Sequence, residues 1–246
     1  MHWFLVSVLA VFLFAGPQAA MAEGLEPVSA EDRRAWTAVG ALRTQGIEAY
    51  SACTATLVAP DMIVTAAHCT VLATGFPGKM HFFAGRNGTR NVADSRSTTV
   101  IRHPLWEAAS GSDRFRYDLA VVHLGRLVED GKVTPMPVYR RGNAPAPRSV
   151  ALLGYNERAG VLRGRFDCPL ISDAIERVYV SGCTVVAGNS GGAVVVENEN
   201  GWALAGVIVA RSDNDGRAIA APVDQWLLRQ VDEARERQTR RTEGAD

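Results

Sequence analysis

A hydroxyl, an imidazole and a carboxylate stand at separate points of this chain, each in a setting that could let it do chemistry. Ser190 lies within Gly188-Asn189-Ser190-Gly191-Gly192, between Cys183-Thr184-Val185-Val186-Ala187 and the apolar run Ala193-Val194-Val195-Val196. This reads as a tight turn entering a buried strand. Glycines around a serine allow dihedrals that a Cβ forbids and let another backbone come close. The Ser190 Oγ would then be exposed, with amide N–H groups aimed at one spot beside it, where they would stabilise an oxyanion. Taken alone, the same residues suit an ordinary loop between strands, because Gly and Ser dominate turns. His68 belongs to Thr65-Ala66-Ala67-His68-Cys69, after the apolar Met62-Ile63-Val64, and Asp118 heads Leu119-Ala120-Val121-Val122. A serine hydroxyl needs a base to become a nucleophile, and the base needs an acid to fix its tautomer and to stabilise the imidazolium. The chemistry available is acyl transfer on Ser190.

Three groups so far apart in sequence can meet only if strand ends converge, and the rest of the chain reads as strands. Trp36–Leu42, Thr54–Val58, Met62–Thr65, His81–Ala84, Ser97–Ile101 and Leu119–Leu124 have strand length and composition, with Ala59-Pro60-Asp61 as one of the turns between them. Further short strands fall at Ser149–Tyr155, Leu162–Phe166, Arg177–Val180, Ala193–Val196, Ala203–Ala210 and Ala218–Ala220. Between the two sets, Val133–Pro147 carries Pro135, Pro137, Pro145 and Pro147, which a central strand would not hold, so it reads as a connection. From Val223, apolar Trp226, Leu227 and Val231 recur at helical spacing, and Pro222 suits a helix start. The polar stretch 23–34 reads as a surface arm and Arg235–Arg241 as a solvated tail. Two other histidines are set aside. His103 has no acid or serine motif beside it and reads as a loop residue. Strand alternation puts His123 on the opposite face from Val122, and no turn presents it.

Composition removes some classes. The 246 residues carry 26 basic and 26 acidic side chains, so the net charge is +0, against a nucleic-acid binder with its usual basic excess. Gly 23, Pro 11 and 7% aromatic content suit a loop-rich β protein, and 47% hydrophobic content argues against disorder. Trp3–Ala15 is an apolar run with no acidic residue before Glu23, and Ala20-Met21-Ala22 fits a signal-peptidase site. The expectation is a cleaved export signal over 1–22, with an uncleaved anchor as the alternative, since the run is just long enough to span. His68-Cys69 could suggest zinc, but no C-x-x-C or H-x-x-x-H spacing accompanies it, and no metal is expected.

Taken in order, the words TAAHC, DLA and GNSGG resemble those of the chymotrypsin-like (trypsin-like) serine proteases, over roughly Ala35 to Leu228. The resemblance implies an all-β fold of two antiparallel six-stranded β-barrels with a C-terminal α-helix. The first barrel would span 35–132, the connection 133–147, the second barrel 148–221, the helix 222–238 and a tail 239–246. It implies a serine endopeptidase with His68, Asp118 and Ser190 as triad and the N–H groups of Gly188 and Ser190 as oxyanion hole. No metal or organic cofactor is implied. The expected partners are protein or peptide substrates, with no nucleic acid, a membrane only if the N-terminal segment stays uncleaved, and a monomeric state. The family bridges Cys53 to Cys69; closing a loop of this length is worth about 3 kcal/mol. Cys168 and Cys183 remain as the second pair. Four cysteines fit an exported protein, periplasmic or secreted. Alternatives are a non-catalytic homologue that binds a partner or a carbohydrate, and an unrelated secreted β protein.

Finer features narrow the resemblance. Arg33, Ala38-Val39-Gly40 and the Cys183-to-Ser190 spacing resemble the glutamyl-endopeptidase-like bacterial proteases, although Ala193 stands where proline is common in the family. By resemblance, Thr184 lies at the base of the primary specificity pocket, with Val209 and Arg211 on its far wall. A neutral Thr184 implies no strong preference for Lys or Arg at the cleaved position. Asn189 stands where the trypsin branch has the aspartate that a newly cut N-terminal ammonium pairs with. An uncharged Asn189 implies a preformed site that needs no such switch, and Arg33-Arg34 marks a competing dibasic processing site.

Overall fold

The computed structural model describes residues 24–45, 50–126, 128, 132–142, 147–156, 160–173 and 178–243. The expected export signal lies outside the described residues, as does part of the expected connection, including Pro145.

The first barrel is built from β2 (Val39–Gln45), β3 (Tyr50–Ala59), β4 (Met62–Thr65), β5 (Met80–Ala84), β6 (Ala93–Arg102) and β7 (Ala120–Leu124), after the short β1 (Glu26–Pro27). These strands close in the order β2-β3-β4-β7-β6-β5, all antiparallel. The second barrel comprises β8 (Ser149–Gly154), β9 (Arg163–Asp173), β10 (Tyr179–Thr184), β11 (Ala193–Asn198), β12 (Gly201–Arg211) and β13 (Arg217–Pro222). Its order is β9-β10-β13-β12-β11-β8, and β8 pairs back with β9 to close it. Alternation does the sorting: in β5, Met80, Phe82 and Ala84 are buried while His81 and Phe83 lie nearer the surface. The expected fold of two six-stranded barrels is the fold observed.

One short and one long α-helix accompany the barrels. α1 (Asp113–Arg116) directly precedes Tyr117 and Asp118, and α2 (Gln225–Glu243) ends the described chain. In α2, Leu227, Val231 and Ala234 are buried at successive helical turns and join the core cluster that includes Leu57 and Val58 of β3. The helix that follows the last strand of the second barrel therefore packs on the first. Its start differs from the expectation. Pro222 ends β13, and Asp224 caps the helix by accepting the Leu227 N–H at 2.8 Å. Its end also differs, because helical structure continues to Glu243 through residues expected to be a tail.

The N-terminal stretch also departs from the reading as a surface arm. Leu25 and Val28 are buried, β1 adds to the edge of β9, and the Gly24 N–H donates to Thr184 Oγ1 at 2.9 Å. Two buried apolar residues, a strand pairing and hydrogen bonds together anchor this polar segment. Trp36, expected to open the first strand, lies in a 3-10 helix at Asp32–Trp36, its ring buried against Phe166 and Trp202. Beyond it, the segment after residue 132 crosses between barrels: Met136 N–H donates to Leu57 O, and Tyr139 N–H to Leu204 O.

Candidate active site

His68 and Asp118 come from the same barrel and meet. β4 runs through Thr65 into a 3-10 helix, Ala67–Ala73, which carries His68. β7 pairs with β4, and the residue before it in the ladder, Leu119, follows Asp118. The register Thr65↔Ala120 therefore sets the two residues side by side. Asp118 Oδ2 lies 2.6 Å from His68 Nδ1, and Oδ1 accepts the backbone N–H of His68 at 2.8 Å. One carboxylate thus holds both the ring and the backbone of the same histidine. Asp118 is buried and the His68 side chain is 39% exposed, so the imidazole keeps an open edge. Its other nitrogen, Nε2, lies 3.6 Å from Cys69 Sγ.

Both expected disulfides are present, Cys53–Cys69 beside His68 and Cys168–Cys183 between β9 and β10. Cys53, His68 and Cys69 lie close enough together to resemble a metal site. Both sulfurs are already bonded to each other, which leaves no thiolate to act as a ligand.

Ser190 belongs to the second barrel, in the turn before β11. Gly188 has φ +92° and Gly191 φ +79°, values that disfavour a side chain. Space forbids one as well at Gly191, where a Cβ would fall 2.0 Å from Thr54 O. Within this turn Asn189 N–H donates to Val186 O, Gly191 N–H to Ile208 O and Gly192 N–H to Asn189 O. The amides of Gly188 and Ser190 donate to no protein acceptor among the described residues. Unpaired N–H groups at a largely buried turn are rare.

The two halves are joined by a residue that sequence reasoning missed. Thr54, fully buried in β3, donates its N–H to Ser190 O at 2.8 Å and its hydroxyl to Gly188 O at 3.0 Å. Its Oγ1 accepts the Tyr155 N–H, and its carbonyl accepts the Thr65 hydroxyl. Thr54 is the neighbour of Cys53, and Cys53 is bridged to the neighbour of His68. The serine turn and the histidine are therefore referenced to the same few atoms of β3. Position after a cysteine was the only trace of this in sequence. Among the described residues no hydrogen bond joins Ser190 Oγ to His68 Nε2.

Asn189 is buried and fully used. Its Oδ1 accepts the Val186 N–H and its Nδ2 donates to Tyr155 O, both at 2.9 Å. Thr184 ends β10 opposite Arg217 of β13, and Arg211 ends β12 opposite Ala218. Both thus lie at the same end of the two strands that flank β13. Arg211 is exposed, Val209 is packed in the core, and the Thr184 hydroxyl is engaged by Gly24.

A second histidine proves more than a loop residue. His103 is 5% exposed, with Nε2 3.0 Å from Asp224 Oδ2, while Nδ1 accepts the Leu105 N–H at 3.2 Å. Tyr117 stacks on its ring, and Trp226 meets it edge-on. Burial pushes the Asp224 carboxyl up. Hydrogen bonds from His103 and the Leu227 N–H, with the charge of Arg116, outweigh that and leave it below its ordinary value. Asp224 lies far along the chain from His103, so no local pattern could have announced the pair. His123, set aside earlier, is half-buried, and burial lowers its pKa.

Two closed antiparallel six-stranded barrels followed by a C-terminal helix define the trypsin-like fold. The chain belongs to the trypsin family, whose model matches residues 25–227. Among solved structures it is similar to a thermostable serine protease, AL20, from an extremophilic microorganism. The TM-score is 0.64 at 17% identity, covering 80% of this chain and 96% of that one. No curated protein sequence matches the chain.

Proposed function

We propose that the chain is an exported serine endopeptidase that works through an acyl-enzyme on Ser190. The observation that carries this reading is the Asp118–His68 pair, with an open imidazole edge, anchored to the same strand as a turn whose Gly188 and Ser190 amides are unpaired. His68 Nε2 takes the proton of Ser190 Oγ as Oγ attacks the scissile carbonyl carbon. The carbonyl electron pair moves onto oxygen and is held by the Gly188 and Ser190 N–H groups. As the tetrahedral intermediate collapses, His68 gives the proton to the leaving amine. Water then attacks the ester by the same route, and Ser190 is restored. Asp118 keeps the imidazole proton on Nδ1 and stabilises the imidazolium between steps. The Ser190–His68 hydrogen bond forms as substrate excludes water, as is common for catalytic pairs that are loose without substrate.

Two disulfides suit an oxidising compartment. Among the described residues no helix is long and apolar enough to cross a membrane. With residues 1–22 as export signal, the protein works outside the cytoplasm. Thr184 is neutral and Arg211 is exposed at the same sheet end, which disfavours a cationic side chain in the specificity pocket.

A fluorophosphonate probe tests the core of this reading. Ser190 is expected to be labelled, and His68→Ala to abolish labelling, because the probe needs both an activated serine and formed oxyanion donors. A folded protein that takes no label would be a non-catalytic homologue. Profiling on a peptide library tests the pocket, and arginyl substrates winning by more than about tenfold would refute it.

A further inference from the structure

A groove of about 920 Å³ runs beside the start of α2, away from the Ser190 turn. Arg116 lines it from α1, Arg140 and Arg141 from the segment that crosses between barrels, and Arg229 from α2. Trp226, Leu105 and Val223 give it apolar surface. Among the described residues Asp224 is the one carboxylate that lines it, and both its oxygens are occupied, one by His103 Nε2 and one by the Leu227 N–H. Arg140 pairs with Asp232 at the rim, where both side chains are about half exposed. Arg116 lies 5.2 Å from the Tyr117 ring centroid. Neither Arg116 nor Arg229 has a carboxylate within ion-pair distance among the described residues. The chain as a whole is neutral, so this clustering of guanidinium groups is a local departure that attracts anions.

The geometry points to this groove as a docking site for an acidic polypeptide segment, one with carboxylates interspersed among apolar side chains. Guanidinium forks match carboxylates in bidentate fashion. The apolar floor between them gives such a segment contacts that a sulfated or phosphorylated polymer could not use. Arg116 stands two positions before Asp118 in sequence. A segment held there lies on the flank of the cleft that the first barrel supplies. The role in catalysis rests on the proposed peptidase reading: the groove would hold an acidic stretch of a protein substrate while another stretch enters the cleft. Binding itself does not rest on that reading.

The test begins with the full-length Ser190→Ala protein, titrated by fluorescence anisotropy with a labelled peptide of alternating glutamate and leucine. Binding is expected, weakening with added NaCl, and falling about tenfold or more when Arg140→Gln and Arg229→Gln are combined. Both positions are exposed, and unchanged thermal melting would show the fold intact. The same peptide with glutamine for glutamate should bind at least about tenfold more weakly. Equal binding of the two peptides, or binding indifferent to the double substitution, would overturn the proposal. So would a heparin-derived oligosaccharide that binds through these arginines while the peptide does not. A second arm uses active protein. The double variant should cleave a protein substrate bearing a glutamate-rich tag with kcat/KM lowered about tenfold, and a short peptide substrate at an unchanged rate. An equal loss on both substrates would overturn the proposal. Absence of turnover in the parent protein would overturn the peptidase reading instead, and the titration would still judge the groove.

Discussion

Among the described residues three histidines, His68, His81 and His103, face a carboxylate, and the environments of His68 and His103 differ in what they leave undone. Asp118 takes Nδ1 of His68 and its backbone N–H, and the ring's other edge stays open at 39% side-chain exposure. Asp224 takes Nε2 of His103, Leu105 N–H takes Nδ1, and Tyr117 and Trp226 cover the ring, leaving 5% exposed. Because Leu105 donates to Nδ1, that nitrogen carries the lone pair, and Nε2 holds the proton toward Asp224. No nitrogen remains to move a proton. An acid partner thus does not make a histidine a base. At His68 the carboxylate fixes one nitrogen and the ring keeps an edge open to solvent, whereas at His103 both nitrogens are taken and the ring is covered. His103 instead ties the start of α2 to the residues on either side of Asp118, through its stack on Tyr117 and its N–H bond to Leu119 O.

The largest expected effect separates the two directly. His68→Ala or Ser190→Ala should lower turnover about 10⁴-fold or more, with the double change costing little further, because the groups act as a unit. Asp118→Asn should cost about 10⁴-fold by favouring the wrong tautomer. His103→Ala should change kcat by less than about tenfold. Comparable losses at both histidines in steady-state assays would erase the distinction.

Stability should show the reverse order. His103→Ala removes a ring packed between two others and leaves Asp224 short of a partner, a loss of about 2–4 kcal/mol by urea unfolding in a Ser190→Ala background. His68→Ala also leaves the buried Asp118 one partner short but removes no ring packed between two others, so it should cost less than His103→Ala. A smaller cost at His103 than at His68 would show the buried pair to be idle.

A smaller, pH-dependent effect sharpens the account of Asp224. Its carboxyl lies below the ordinary value in the folded state, so the unfolded chain binds its proton first as pH falls. The stabilising contribution is present above the unfolded value of about 3.9 and is lost as pH drops through the lower folded one. Asp224→Asn should therefore be less stable than the parent near pH ~6, with the gap narrowing below pH ~4. A gap that stays constant over that range would contradict the depressed carboxyl.

The smallest effect concerns the second half of the site, where no change is expected. Asn189 already satisfies Val186 N–H and Tyr155 O without a charge, so the serine turn needs no incoming ammonium. An ammonium buried there without a counter-charge would cost several kcal/mol. A protein spanning Glu23–Asp246 with Arg33→Gln and Arg34→Gln should be as active as the unaltered one within about twofold. If the altered form folds but is inert, and only processed chain is active, the preformed-site account fails.

The sequence by itself determined where His68, Asp118 and Ser190 fall among the strands, and the resemblance carried by their motifs implied the family, the two-barrel fold and the disulfide pairs. Those properties live in contiguous words: alternation marks a strand, and GNSGG marks a turn that only glycine can make. Strands β4 and β7 were legible within a residue or so, because their apolar runs are bounded by clear turns. Tertiary structure decided what depends on partners distant in sequence. Trp36 left its expected strand because Phe166 and Trp202 offered its ring a buried place. Residues 24–36 are held by β9 and Thr184, which their polar composition did not announce. Thr54 became the link between barrels, and His103 found Asp224, through contacts more than a hundred residues apart. A hydrogen bond or a stack depends on where two surfaces meet, and a local pattern describes only one of them.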